Sequence, residues 1–460
     1  MRGLVALFVI AAAIAGAAFL ADNPGQVEII WREWRIDTSV GVLIAVAVIA
    51  GLAVWALLRV VIALARLPSA LRRWRARRRR RLGQREIAAG LIALAAGDAK
   101  VAAERSRQAA RLLPEAPLSV LLSAQAAQAN GDRALAQRLY TTMLERPELT
   151  LVGLRGLLAQ AIERGDYRIA LHLAQQARRM RPDSAWLNRS LLALETRAGD
   201  WEAAAATLAA AAKRKLIPPA RARHHRGVIL HELSLAAERD GDPRRAASLA
   251  AKAQALAPDL PEPAAHYARL LLAAGRRRAA LKAVERAWRT APHPELARLW
   301  GDLYAEGPPL ARVRAFERLA GDNPNAAESH MAAAEAALDA ELWGEARRHL
   351  GLAAAAMPQG PTRRLSLLMA RLEEGEYGPG AGARGWLDGA ATALPDPCWV
   401  CAECGAEHHD WQPLCPACGA FDTLQWRKPR GGGAARGLPS VPTLAAAAPP
   451  LVPSAAERGC

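Results

Sequence analysis

A glycine recurs every 34 residues along most of this chain. Gly97-Asp98, Gly131-Asp132, Gly165-Asp166 and Gly199-Asp200 keep that spacing, and Gly241-Asp242 and Gly275 resume it after an eight-residue insertion. Thirty-four residues is the length of a two-helix solenoid unit, so the period confines the chain to stacked helix pairs. Alanine stands five residues after each glycine, at Ala102, Ala136, Ala170, Ala204, Ala246 and Ala280. A second small residue usually follows seven further on, at Ala109, Ala177, Ala211, Ala253 and Ala287. Seven residues are two helical turns, which puts these side chains on one face and lets paired helices approach closely. Proline, unable to continue a helix, closes units at Pro114, Pro182, Pro258, Pro292, Pro324 and Pro358. The phase predicts an all-α solenoid over residues 84–390, with about eight units. It falters where Leu342-Trp343 lacks the glycine and where Arg312 occupies a small position.

Ahead of the repeats the composition changes. Residues 3–21 and 38–58 carry no charge, and each run is long enough to cross a hydrocarbon core of about 30 Å. Both read as transmembrane helices; a cleaved signal sequence is the alternative for the first, but a second span follows it closely. The intervening loop, 22–37, holds Asp22, Glu28, Glu33 and Asp37 against Arg32 and Arg35, whereas residues 66–85 hold ten arginines and no acid. Basic flanks stay cytoplasmic. The expected topology is therefore an inner-membrane hairpin over 1–65 with the loop in the periplasm and both termini and the repeats in the cytoplasm. The arginine-rich segment, 66–83, accounts for more than half of the net charge of +17. It reads as a topology signal that also meets anionic lipid, and, lacking interleaved stacking aromatics apart from Trp74, not as a nucleic-acid site.

Behind the repeats, five of the six cysteines fall between residues 398 and 418. Cys401-x2-Cys404 and Cys415-x2-Cys418 each continue into glycine, Gly405 and Gly419. A glycine there lets backbone amides turn toward thiolate sulfur, so two such knuckles can close a four-thiolate site. Zinc is the expected metal, with iron in a rubredoxin-like site as the alternative. Cys398 reads as a spare ligand, Cys460 as a lone thiol, and His408 and His409 as surplus to four cysteines. A ribbon over 391–428 and a disordered tail over 429–460 complete the expected organisation.

Elsewhere chemistry is sparse. His224, His225 and His231 crowd together beside Arg221, Arg223 and Arg226, and read as solvated helix-surface groups ahead of a metal or haem site. No phosphate loop, nucleophile elbow or paired-carboxylate signature is present, so a scaffold that binds protein partners is expected and an enzyme is not.

Gly165-Asp166-Tyr167, Ala170, Ala177 and Pro182 resemble the second-helix pattern of the tetratricopeptide repeat family. The loop Asp22-Asn23-Pro24-Gly25-x-Val27 with Trp31 and Trp34, set between two spans and followed by a basic exit and repeats, resembles the proteobacterial HemY family over residues 1–130. That resemblance implies an inner-membrane protein tied to a late step of protohaem synthesis, acting through late haem-synthesis enzymes as partners. It is distinct from the flavin oxidase of the same name, whose dinucleotide fingerprint is missing here. Direct haem binding is left open. The cysteine ribbon is similar to that of the lipopolysaccharide-assembly regulator LapB, which implies as an alternative an adaptor for a membrane protease; LapB-like proteins carry one amino-terminal span.

Overall fold

The computed structural model describes residues 25–31 and 34–429, with six helical positions before them (7, 8, 11, 14, 15 and 18). The first expected membrane span otherwise lies outside the described residues, as do the tail beyond Pro429 and Cys460. Two units are distinguished, residues 1–132 and 133–460.

The first unit begins with an antiparallel hairpin, β1 (Gln26–Trp31) and β2 (Trp34–Ser39), whose register runs from Gln26 opposite Ser39 to Trp31 opposite Trp34. The β-forming composition of the segment expected as a periplasmic loop explains it. Next comes one unbroken helix of 56 residues, Val40–Ala95. Its first part, Val40–Ile62, is the one stretch among the described residues long and apolar enough to cross a membrane; its mean hydropathy is 2.7 and none of it is buried. Its last turns pack on helices Ala99–Leu112 and Pro117–Ala129 through Ile87, Ala109 and Leu122. Gly90 is what permits this approach: a Cβ there would sit 2.6 Å from Leu122.

The recurring glycine sets the turn inside six of the helix pairs. Gly97, Gly131, Gly165, Gly199, Gly241 and Gly275 all have φ between 71° and 81°. At each, the next residue's N–H reaches back five residues, as Asp98 does to Ala93 (2.9 Å) and Asp166 to Ala161 (2.9 Å), which satisfies carbonyls the helix end leaves open. The aspartate then starts the following helix: Asp98, Asp200 and Asp242 each accept a hydrogen bond from the backbone N–H three residues on. The faltering unit keeps the geometry without the glycine, because Glu341 takes the left-handed position with φ 58°.

In the second unit, helix pairs stack through the small residues. Ala170, Ala174 and Ala177 of helix Tyr167–Met180 are buried against Leu154, Leu158, Leu187 and Leu191 on the helices before and after it. The alanines set the interhelical spacing, and the leucines supply the burial, worth about 2 kcal/mol each. The first helices of successive pairs are 13 residues long at Ala185–Arg197 and Pro261–Ala273, but 21 at Pro219–Arg239. The eight-residue insertion is therefore about two extra turns, residues 219–226, at the start of that helix. The chain leaves the last helix, Ala381–Thr392, for a three-stranded antiparallel ribbon of order β4-β3-β5: β3 (Cys398–Cys401), β4 (Glu407–His408) and β5 (Leu424–Arg427).

Candidate metal centre

Each Cys-x-x-Cys-Gly segment folds into the same knuckle. Cys401 N–H donates to Ala406 O and Gly405 N–H to Cys401 O (both 2.9 Å); Cys415 N–H donates to Ala420 O (2.9 Å) and Gly419 N–H to Cys415 O (2.7 Å). The glycines close these turns in the left-handed region, with φ 75° at Gly405 and 71° at Gly419. Two knuckles face to face bring the sulfurs of Cys401, Cys404, Cys415 and Cys418 within 4.8 Å of one another. Cys401 Sγ lies 3.8 Å from Cys418 Sγ, and Cys404 Sγ lies 3.7 Å from Cys415 Sγ. A tetrahedral ion with metal–sulfur bonds of about 2.3 Å has edges of about 3.8 Å, so the four thiols fit one.

The surroundings favour thiolate at one corner first. Burial works to raise the Cys401 thiol, but the Thr423 hydroxyl, 3.3 Å away, and the amides of Cys404 and Glu403 outweigh it and bring it down to about 7. Burial pushes Cys415 and Cys418 up. Cys398 is outside the cluster: three residues from Cys401 on β3, it faces the other side of the strand. His408 Nε2 stands 3.4 Å from Cys415 Sγ, while His409 is exposed.

The ribbon does not stand free. Trp399, Cys401, Trp411, Cys415 and Leu424 form one core with Val228, Ala257 and Leu260 of the helix pairs. Phe421 packs against Trp201 and His225. The Trp426 ring meets His293 at 4.2 Å between centroids, and Trp411 meets His231 at 5.7 Å. The Arg197 guanidinium lies over Gly419, where an added Cβ would fall 2.5 Å from it. Where the chain enters the ribbon, Asp396 accepts from the Arg364 amide (3.1 Å), and the Arg364 guanidinium grips Glu328 (2.8 Å) and Glu335 (2.8 Å).

These contacts correct the reading of the histidines as solvated groups. His231 is 5% exposed and burial depresses its basicity to about 3; His293, missed in the sequence, is likewise held at about 3 by burial. His224 and His225 sit on the two inserted turns and both reach Asp422 of the ribbon. The insertion itself was the available signal, since two added turns in an otherwise regular repeat need something to pack against.

One arrangement mimics a hydrolytic triad. Ser234 Oγ lies 2.9 Å from His266 Nε2, and His266 Nδ1 lies 3.8 Å from Glu238. Ser234 is fully buried and its hydroxyl donates to Ala246 O (2.8 Å), so no substrate reaches it and the group reads as core hydrogen bonding.

Three family models match separate parts of the chain: the HemY protein N-terminus over residues 25–131, a tetratricopeptide repeat over 237–303, and the rubredoxin metal binding domain of the LapB zinc-ribbon type over 399–425. The probable magnetosome protein Mms48 of Magnetospirillum gryphiswaldense is 33% identical over 235 residues, which is 50% of this chain and 51% of that protein. The chain thus spans about half the length of this curated relative. Among solved structures, Naa15/Naa10 bound to HypK-THB aligns with a TM-score of 0.40 at 14% identity, covering 67% of this chain and 53% of that one. A tetratricopeptide repeat protein from Parabacteroides merdae aligns with a TM-score of 0.30 at 16% identity, covering 53% and 94%. The chain joins a HemY-type N-terminal region, tetratricopeptide repeats and a LapB-type ribbon in one polypeptide.

Proposed function

We propose that this protein is a membrane-anchored scaffold whose repeats present a docked metal ribbon and hold a protein partner beside it. The observation that carries the reading is the joining of an exposed apolar helix, Val40–Ile62, directly to helix pairs of the tetratricopeptide kind. In this reading residues 1–65 form a two-span hairpin in a bacterial inner membrane, the arginines of 66–83 meet anionic lipid, and the repeats of 84–390 and the ribbon of 391–428 lie in the cytoplasm. Cys401, Cys404, Cys415 and Cys418 hold structural zinc, with iron as the second choice; the closed four-thiolate set leaves no position for substrate, and the metal supplies folding energy to a module too small to have much core of its own.

The partner surface is the wall beside the ribbon. A cavity of 490 Å³ opens there between Trp426 and the repeats, with Arg298, Arg312, Glu335 and Asp339 at its wall. Charges of both signs over an apolar floor suit a polar peptide segment. The HemY match supports partners in a late step of protohaem synthesis. Crosslinking in native membranes followed by identification of the captured protein tests this directly, and unchanged haem and porphyrin pools after gene deletion would count against it. The LapB-type ribbon supports a second reading, an adaptor that delivers substrate to a membrane protease in lipopolysaccharide control; normal lipopolysaccharide levels on depletion would exclude that one.

A further inference from the structure

The inserted turns of helix Pro219–Arg239 place two imidazoles against a single ribbon carboxylate. His224 Nδ1 is 2.7 Å and His225 Nδ1 2.6 Å from the same atom, Asp422 Oδ2. Asp422 has a side chain only 4% exposed, and its backbone is in the left-handed region (φ 54°), held by an N–H bond to Pro413 O of 2.8 Å. On its far side His224 Nε2 faces Asp259 Oδ2 at 3.1 Å. With Nε2–H donating to Asp259, a positive species must lie between Nδ1 and the Asp422 carboxylate: without an ion it is a second proton, the two aspartates holding His224 as an imidazolium that donates to both, and a metal cation can take that proton's place.

A carboxylate behind a histidine is how proteins orient an imidazole for a metal, the outer N–H being held so that the inner nitrogen is a lone-pair donor. The charges also balance, since two carboxylates and two neutral imidazoles are neutralised by one divalent ion. We propose that His224 Nδ1, His225 Nδ1 and Asp422 form a second transition-metal site, with zinc as the ion it would take, sharing no ligand with the four-cysteine centre. The three ligand atoms already lie within 4.8 Å of one another. Bonds of about 2.1 Å require them to open only to about 3.4 Å, and a water completes the set on the exposed side of His224. A further group, Glu317, Glu345 and His349, offers no such site, because the Arg348 guanidinium occupies it at 3.6 Å from Glu317 and 2.7 Å from Glu345.

Because two ligands belong to the repeats and one to the ribbon, the ion staples one to the other. Free zinc at a hundred times its Kd strengthens docking about a hundredfold.

The test uses the full-length chain in detergent, reduced, loaded with Zn2+ or Co2+ and dialysed against metal-free buffer. Two zinc ions per chain are expected, and Asp422→Asn and His225→Gln should each retain one. In the cobalt form the intense thiolate charge-transfer band reports the cysteine site, and both variants should keep it while losing the weaker nitrogen/oxygen-ligand absorption. One zinc per wild-type chain with the thiolate band present overturns the second site and leaves the cluster a hydrogen-bonded clamp. Loss of the thiolate band in the wild type would instead fault the cysteine assignment. Equal zinc content in wild type and both variants also overturns the proposal.

Discussion

The helix pairs and the ribbon reach order by different routes. In the pairs, Ala170, Ala174 and Ala177 lie against leucines of the adjacent helices, and each unit repeats the same local contacts. In the ribbon, strands of two to four residues surround four thiols, and the few apolar side chains are completed by Val228, Ala257 and Leu260 from the repeats. A stack of repeats gains stability unit by unit, whereas a module of this size depends on its metal and on its neighbour. Damage to the first should therefore be graded, and damage to the second complete.

Metal removal gives the largest expected effect. Structural four-ligand zinc sites supply about 10–16 kcal/mol of apparent binding energy, more than a ribbon can replace. Chelation under reducing conditions, or Cys415→Ser, should unfold residues 398–427, expose Trp399, Trp411 and Trp426 to solvent and open the segment to protease, while far-UV circular dichroism keeps the helical signal. Resistance of the ribbon to protease without metal would erase the distinction between the two regions.

The junction between them should come next. Arg364 neutralises Glu328, whose side chain is 14% exposed, and its backbone anchors Asp396 at the ribbon's entrance. Arg364→Met leaves that carboxylate buried and unpaired, a loss of about 3–5 kcal/mol. Denaturant unfolding should show the loss, and Glu328→Gln in the same chain should recover part of it. A near-neutral Arg364→Met would mean that the guanidinium's ion pairs contribute nothing to the junction.

Acid should loosen the docking. Burial holds His231 and His293 neutral, depressed to about 3 from an ordinary value near 6.5, and the cations nearby, Arg269 beside His231 and Arg298 and Arg364 beside His293, act in the same direction. The associated stability is fully present above pH 6.5 and declines as pH falls from 6.5 toward 3. Between pH 6.5 and 5.5 the two together should cost about 2 kcal/mol. Measuring wild type against the His231→Gln, His293→Gln double variant cancels the thiol titration, and equal slopes in the two would remove the histidines from the docking.

The contrast also explains what was legible in the sequence. The helix turns were, because Gly97, Gly165 and Gly241 act through their own φ and the carbonyls a few residues back, which a period exposes directly. The cysteine cluster was for the same reason, since each knuckle is built within five residues. The docking was legible only as an unexplained insertion: His224 and Asp422 are 198 positions apart, and no local pattern names the distant turn that meets the histidine. Nor was the unbroken helix Val40–Ala95 read as such, since the arginine run reads as a separate basic segment when only charge is considered, although arginine is a good helix former.

The smallest prediction tests the repeat rule at the turn that keeps its geometry without the glycine. Leu342 N–H reaches back to Ala337 O (2.9 Å) as its counterparts do in the glycine-bearing units, so Glu341 at φ 58° carries a side chain where the backbone favours none. A non-glycine residue in this region costs about 1 kcal/mol. Glu341→Gly should therefore stabilise the chain by about that amount, and Gly165→Ala should destabilise it similarly, because a Cβ at Gly165 meets nothing within 4 Å and only the backbone term remains. The two changes should add, being far apart in the stack. If Glu341→Gly were neutral while Gly165→Ala cost its full amount, Glu341 would be gaining through its side chain what its backbone loses, and the repeat would be held at that turn by a contact that the other units do not have.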